Sequence, residues 1–326
     1  MDWAAIFGPD ALVVLFSTAL AFSMPTALAA LGETIAERAG VLNLGLEGML
    51  LSGALASFLV AYYAGSVALG AVAGVAVGVA LGALMAFLSV TLGTEQIING
   101  IAIVLLAQGL TLYLFEKLFG GEQQPTIEGI PDVAIPLLED IPGIGPVLFD
   151  QNALFYISLA IALAVWPLLT RTHFGLAVRA VGESPAAADA VAVSVSRTRW
   201  LALLICGGMA GLGGAVLVLG ELHLFEENVS GGRGWIAIAL VIFGRWNPPL
   251  VLGGAFLFGF TDALQIRVQV VSGGITSAVP TEVFGALPYM VTLVVMVAAT
   301  VWAGRDAQPA ALGLPFRKGV DSERSA

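Results

Sequence analysis

Two acids lie deepest in apolar surroundings, Glu47 in "GVLNLGLEGML" and Asp262 in "FLFGFTDALQIRVQ". Asn43, Glu95, Gln96, Asn99, Gln108, Gln265 and Gln269 add amides and a carboxylate within apolar runs or near their ends. An ionised side chain at the centre of a bilayer costs about 2.5–3.5 kcal/mol on insertion scales, so such groups face protein or water. Two chemistries suit them. One is hydrogen bonding between helices, worth roughly 0.6–2 kcal/mol per contact; the other is a polar route for a solute through a bundle interior. Residue type leaves both open. Asn43, Glu47, Gln96, Asn99, Asp262 and Gln265 are therefore the candidates for a substrate pathway.

Other chemistry finds no support. The two lysines, Lys117 after Glu116 and Lys318 after Arg317, leave no Gly-Lys pair for a phosphate-binding loop, so ATP cannot be held that way. The histidines, His173 and His223, fall in different loops and form no H-E-x-x-H, and no G-x-S-x-G elbow occurs. The single cysteine, Cys206, excludes a disulfide framework or a cysteine metal site within one chain. Neither an enzyme, a metal site nor a bound cofactor is expected.

The elements that must position these groups are membrane helices. Hydrophobic residues make up 58% of the 326 and charged residues only 11%, too apolar a balance for a soluble domain. The N-terminal "MDWAAIFGPD" lacks the basic start of a secretory signal, so the first apolar run reads as a permanent helix. Apolar segments fall at about 10–31, 44–61, 67–90, 97–116, 153–170, 200–220, 233–244, 248–268 and 284–303. The expectation is an all-α polytopic bundle of eight to ten membrane segments. Segment 233–244 is too short to cross and reads as half a broken helix or a re-entrant piece. Alternating the segments with the N-terminus outside puts ten of the 13 basic residues inside, as the positive-inside rule requires. Trp166, Trp200, Trp246 and Trp302 then sit at inner helix ends.

Glycines mark the breaks. Gly45 and Gly48 flank Glu47, while Gly231, Gly232 and Gly234 surround Arg233; both stretches open apolar segments and read as corresponding positions of an internal duplication. Transporters place such breaks where they line a cavity. In "GAVAGVAVGVALG", Gly70, Gly74, Gly78 and Gly82 share a helical face that admits close helix packing. The whole chain, 1–326, reads as a single transmembrane domain. Residues 118–152 form an acidic, proline-rich outer loop, and 304–326 an inner tail.

Between two long apolar runs lies "RTHFGLAVRAVGESPAAADAVAVSVSRTR", residues 171–199. "FGLAVRAV" predicts a short helix stopped by Gly182, after which Ser184 caps and Pro185 opens a second one through "PAAADAVAV". Two short helices joined by "GES" make a compact inner knuckle.

"LAVRAVGESPAAADAVAVSV", preceded by "THFG", resembles the cytoplasmic coupling segment of permease subunits from ATP-binding cassette (ABC) importers. The group is the branched-chain amino acid and simple sugar permease family. "ERAGVLNLGLEGMLLSGA" and "GGRGWIAIALVIFGRWNPPLVLGGAFLFGFTDALQ" resemble it too, and its nucleoside-type members in particular, in the right order across about residues 30–300. Asn43, Glu47 and Gly48 match one element; Gly234, Trp235, Gly244 and Arg245 match another, which adds Trp235 to the pathway candidates. The resemblance implies a plasma-membrane permease that works with cytoplasmic ATP-binding subunits, an extracytoplasmic substrate-binding protein and a second permease copy or paralogue, with lipid around it and no nucleic acid. It implies that Arg179, Gly182, Glu183, Ser184, Pro185, Ala187 and Ala188 meet the ATPase. Nucleosides or simple sugars are the implied cargo. The alternative is an ion-coupled secondary transporter in which Glu47 or Asp262 carries a proton or sodium ion.

Overall fold

A computed structural model describes residues 8–120, 125–136, 138–139, 141–271, 290–291, 293–294, 297 and 308–316. In chain order the helices are α1 (Pro9–Arg38), α2 (Leu46–Ala64), α3 (Val67–Ala86), α4 (Gln96–Phe119), α5 (Gly145–Leu148), α6 (Ala153–Arg171), α7 (His173–Glu183), α8 (Pro185–Ala190), α9 (Val195–Ala215), α10 (Arg233–Phe243) and α11 (Pro248–Val271). Wider turns extend α3 to Thr91 and α9 to Leu222. Two short antiparallel strands, β1 (Asp132–Ala134) and β2 (Asp150–Asn152), which the sequence does not announce, lie with the short helix α5 in the long acidic loop.

Seven of the described helices are long and apolar enough to cross a membrane. Helices are the natural solution there, because lipid offers no partner for backbone N–H and C=O groups and a helix satisfies them internally. The predicted segment at 284–303 lies largely outside the described residues. α1 continues to Arg38, beyond the predicted end at 31, and so carries Glu33 and Glu37 into the helix.

The seam between α3 and α9 rests on glycine. A Cβ on Gly78 would overlap the Gly207 carbonyl and one on Gly82 would come within 2.5 Å of the Leu203 carbonyl oxygen, while one on Gly70 would come within 2.7 Å of Ser57 O on α2. The periodic glycines of α3 are therefore packing positions, where backbones meet and dispersion contacts are densest.

α10 has 11 residues, about 16 Å of helix, roughly half of a hydrocarbon core about 30 Å thick. Its end lies beside the end of α1, where Arg38 Nε donates to Trp246 O at 3.1 Å. α9 with its extension has 28 residues, about 42 Å, and starts next to the knuckle, so Leu222 reaches the opposite face. Residues 223–232 must then return to mid-depth before α10 begins. Segment 233–244 is thus half a helix fed by a non-helical stretch, as its length requires.

Gly78→Ala should destabilise the detergent-purified protein by about 2 kcal/mol, because the backbones of α3 and α9 must separate. Gly109→Ala, where a Cβ meets nothing within 4 Å, should stay within about 0.5 kcal/mol of wild type. Thermal melting compares the two, and equal melting points would contradict the glycine seam.

Candidate functional site

Both glycine-flanked stretches meet at one carboxylate. Glu47 sits in the first turn of α2, and its Oε1 accepts from Ser230 Oγ at 2.5 Å and Gly232 N at 3.0 Å. Its Oε2 accepts from Gly234 N at 2.6 Å. Two of the three donors are otherwise orphaned N–H groups entering α10, and a negative charge there also suits the positive end of the helix dipole. Gly234 is required by this closeness, since a Cβ would overlap the Glu47 backbone. Glu47 is 1% exposed, with both oxygens committed.

The same turn of α10 binds the other deep acid. Arg233 Nη2 donates to Asp262 Oδ2 at 2.6 Å, tying α10 to α11. The start of α10 therefore connects Glu47 and Asp262 without their touching.

A second buried cluster escaped the sequence reading. Glu33 and Glu37, one turn apart on α1, are 0% and 1% exposed. Glu33 Oε1 accepts from Asn43 N at 2.8 Å, and Cys206 Sγ donates to Glu33 Oε2 at 3.3 Å. Asn43 Oδ1 in turn accepts from Gly45 N at 3.0 Å, which shapes the entry to α2. Trp246 Nε1 donates to Glu37 Oε2 at 2.5 Å, fixing the chain just past α10 where Arg245 and Trp246 adopt left-handed backbone. The available signal was the spacing of four residues between the acids at the end of an apolar run, which places both on one helical face.

The other pathway candidates are scattered. Gln96 Oε1 accepts from Leu42 N at 2.8 Å, while Asn99 Nδ2 donates to Thr94 Oγ1 at 2.8 Å and Ser89 Oγ at 3.0 Å. Gln265 is half-buried on α11 and Trp235 is exposed on α10. Asn43 and Gln96 stand near the loop before α2, Glu47 and Asp262 around the start of α10, and the seven do not converge on one cavity.

At the knuckle, three side-chain caps set three helix starts. Thr172 Oγ1 accepts from Gly175 N at 3.0 Å, Ser184 Oγ from Ala187 N at 3.3 Å and Ser194 Oγ from Arg197 N at 3.4 Å. Pro185 opens α8 as expected. Gly182 does not stop α7, which runs on to Glu183; the glycine is needed because a Cβ would overlap the Arg38 carbonyl. Ala188 is buried with Val181 and Val195 against Phe316. Glu183, Ser184 and Ala187 are exposed, Arg179 is half-buried, and Val191 presents an apolar tip that is 73% exposed.

The knuckle is anchored from behind. Ala311 N donates to Gly182 O at 2.8 Å and Gly313 N to Gly40 O at 3.2 Å. Buried Arg199 holds Ala39 O at 3.1 Å and Leu314 O at 2.9 Å, joining α1, α9 and the tail. Arg199 is one of the ten basic residues that alternating the segments puts inside, and its charge alone does not announce this anchoring role. Among the described residues, no group of three His, Cys, Asp or Glu side chains could hold a metal ion.

The family described as branched-chain amino acid transport system, permease component, matches residues 15–299. A putative glucose ABC transporter permease protein of Haloferax volcanii is 40% identical, over 90% of this chain and 94% of its own. A guanosine ABC transporter permease protein of Bacillus subtilis is 35% identical, over 94% and 98%. A nucleoside ABC transporter permease protein of Lactococcus lactis is 31% identical, over 95% and 98%. No solved structure matches the chain.

Glu47→Gln should cost about 3 kcal/mol, since an amide removes the charge and turns an N–H group towards backbone donors. Asp262→Asn, whose ion pair keeps 16% exposure on each side, should cost about 1 kcal/mol. Melting of the purified variants reads the difference; a Glu47→Gln protein as stable as wild type would contradict the capping role.

Proposed function

This chain belongs to the branched-chain amino acid transport system permease family, and from that premise we propose how it works within an ABC importer. It is a multi-pass membrane permease subunit. It forms the solute path through the plasma membrane, beside a second permease copy or paralogue. ATP hydrolysis takes place on separate cytoplasmic subunits, and an extracytoplasmic binding protein delivers the solute. The cargo is a nucleoside or a simple sugar, the classes named for its relatives.

The observation that carries this reading is the anchored knuckle. Its exposed edge, from Glu183 through Ser184 to Ala187 and Val191, stands on caps and a buried core. Its back is bonded to α1, α9 and the tail. A surface that is both presented and rigidly connected suits a contact through which closure of two ATPase subunits moves the bundle between two states. We place it on the cytoplasmic side, with the N-terminus outside and the C-terminus inside, as the arginine distribution supports.

Ion coupling through Glu47 or Asp262 is disfavoured by their partners. Glu47 has three donors and Asp262 is paired with Arg233, so neither presents a free carboxylate.

Ala187→Pro removes the N–H that Ser184 caps, and Arg179→Glu reverses a charge near Arg38 and Glu183. Together they should lower transport-coupled ATP hydrolysis in the reconstituted importer at least about fivefold. The bundle should still purify and melt as wild type does. Unchanged coupling would overturn the assignment of the knuckle.

A further inference from the structure

A cavity of about 360 Å3 opens between α2, α4 and the returning segment 223–232. That volume falls within the roughly 300–1,000 Å3 of small-molecule sites. Gln108, Thr111 and Phe115 of α4 form one wall, and Phe225, Glu227 and Asn228 form the other. Non-helical backbone at membrane depth is tolerated where protein buries it or where it lines water. Phe225, Glu227 and Asn228 line this cavity, while Val229 and Ser230 just beyond them are buried.

Its polar groups differ from the pathway candidates placed above. Glu47, Asn43, Gln96, Asn99 and Asp262 all have partners within the fold. Among the described residues, the side chains of Gln108, Glu227 and Asn228 have no hydrogen bond, and all three residues are exposed and line the cavity. A glutamine inside a spanning helix that serves no helix contact needs water or a ligand.

The apolar part of the wall is stiff. Phe115 packs on Phe225 with ring centroids 5.1 Å apart, and buried Phe225 is backed by Phe58 at 6.2 Å. Among the described residues no lysine or arginine lines the cavity, and Glu227 would repel an anion. The chemistry called for is uncharged, flat on one face and rich in donors.

We propose that this cavity is the permease's own solute subsite and that it takes a nucleoside. The base lies against Phe115, and Gln108, Asn228 and Glu227 bond its edge and the ribose hydroxyls. Phosphorylated nucleotides are rejected by the carboxylate. The inference rests on the importer reading and narrows its cargo.

Cysteine protection tests it. Cys206, the chain's single cysteine, is buried, so Gly109→Cys places one reachable thiol on the cavity wall where a Cβ meets nothing within 4 Å. In vesicles holding the whole importer, a membrane-impermeant maleimide is added with guanosine, glucose, GMP or no solute. Guanosine at about nine times its Kd should slow labelling about tenfold, while glucose and GMP should leave it unchanged. Val133→Cys, on β1 of the long loop, should label at one rate throughout. An importer that takes up nucleosides but shows no protection at Gly109→Cys would overturn the subsite and leave the importer reading standing. Protection by glucose alone would overturn the nucleoside assignment, and a thiol that never labels would show that the cavity is not open to water. Phe115→Ala should raise the guanosine concentration needed for protection about tenfold, as loss of stacking on one ring predicts; an unchanged concentration would overturn the role of the ring.

Discussion

Backbone groups inside a bilayer have no water to fall back on, and the start of a half-helix exposes several at once. Glu47 resolves this by accepting from Ser230, Gly232 and Gly234, which lets α10 begin at mid-depth. The same turn sends Arg233 to Asp262, so α11 is fixed by the same arrangement. At the other end of α10, Glu37 takes Trp246 and Arg38 takes its carbonyl. The half-helix is thus held by carboxylates from two different helices, one at each end.

This accounts for the link between the bundle interior and the knuckle. Arg38 closes α1, Gly182 of α7 packs on its carbonyl, and Arg199 ties the next residue, Ala39, to α9 and the tail. A displacement of the knuckle therefore meets a continuous packed path to α10 and the segment before it. The elements along it are helices and tight turns joined by hydrogen bonds and close packing, the kind that shift as units rather than deform smoothly.

Much of this fold was legible in the sequence because lipid imposes simple rules. Length alone identified the spans, and the shortness of 233–244 correctly separated α10 from them. Ser184 and Pro185 announced α8 through local chemistry. Gly182 was misread because a glycine near a helix end fits a stop and a close approach equally well; only the Arg38 carbonyl, 144 positions away in numbering (182 − 38), distinguishes them. Glu33 and Glu37 were missed because apolar periodicity ended before them and their partners, Cys206 and Trp246, are separated from them by 173 and 209 residues. The polar residues offered as pathway candidates were the hardest to read. An amide that holds a loop and one that faces a cavity look alike in sequence, and pairing alone separates Gln96 from Gln108.

The most direct measurement is uptake of labelled nucleosides and sugars into vesicles containing this chain, with and without its ATP-binding subunits and binding protein, under ATP or under ion gradients. With Glu47 and Asp262 committed to the fold, uptake should require both partners and ATP and should ignore the gradients. Uptake by this chain alone on a proton or sodium gradient would contradict the account.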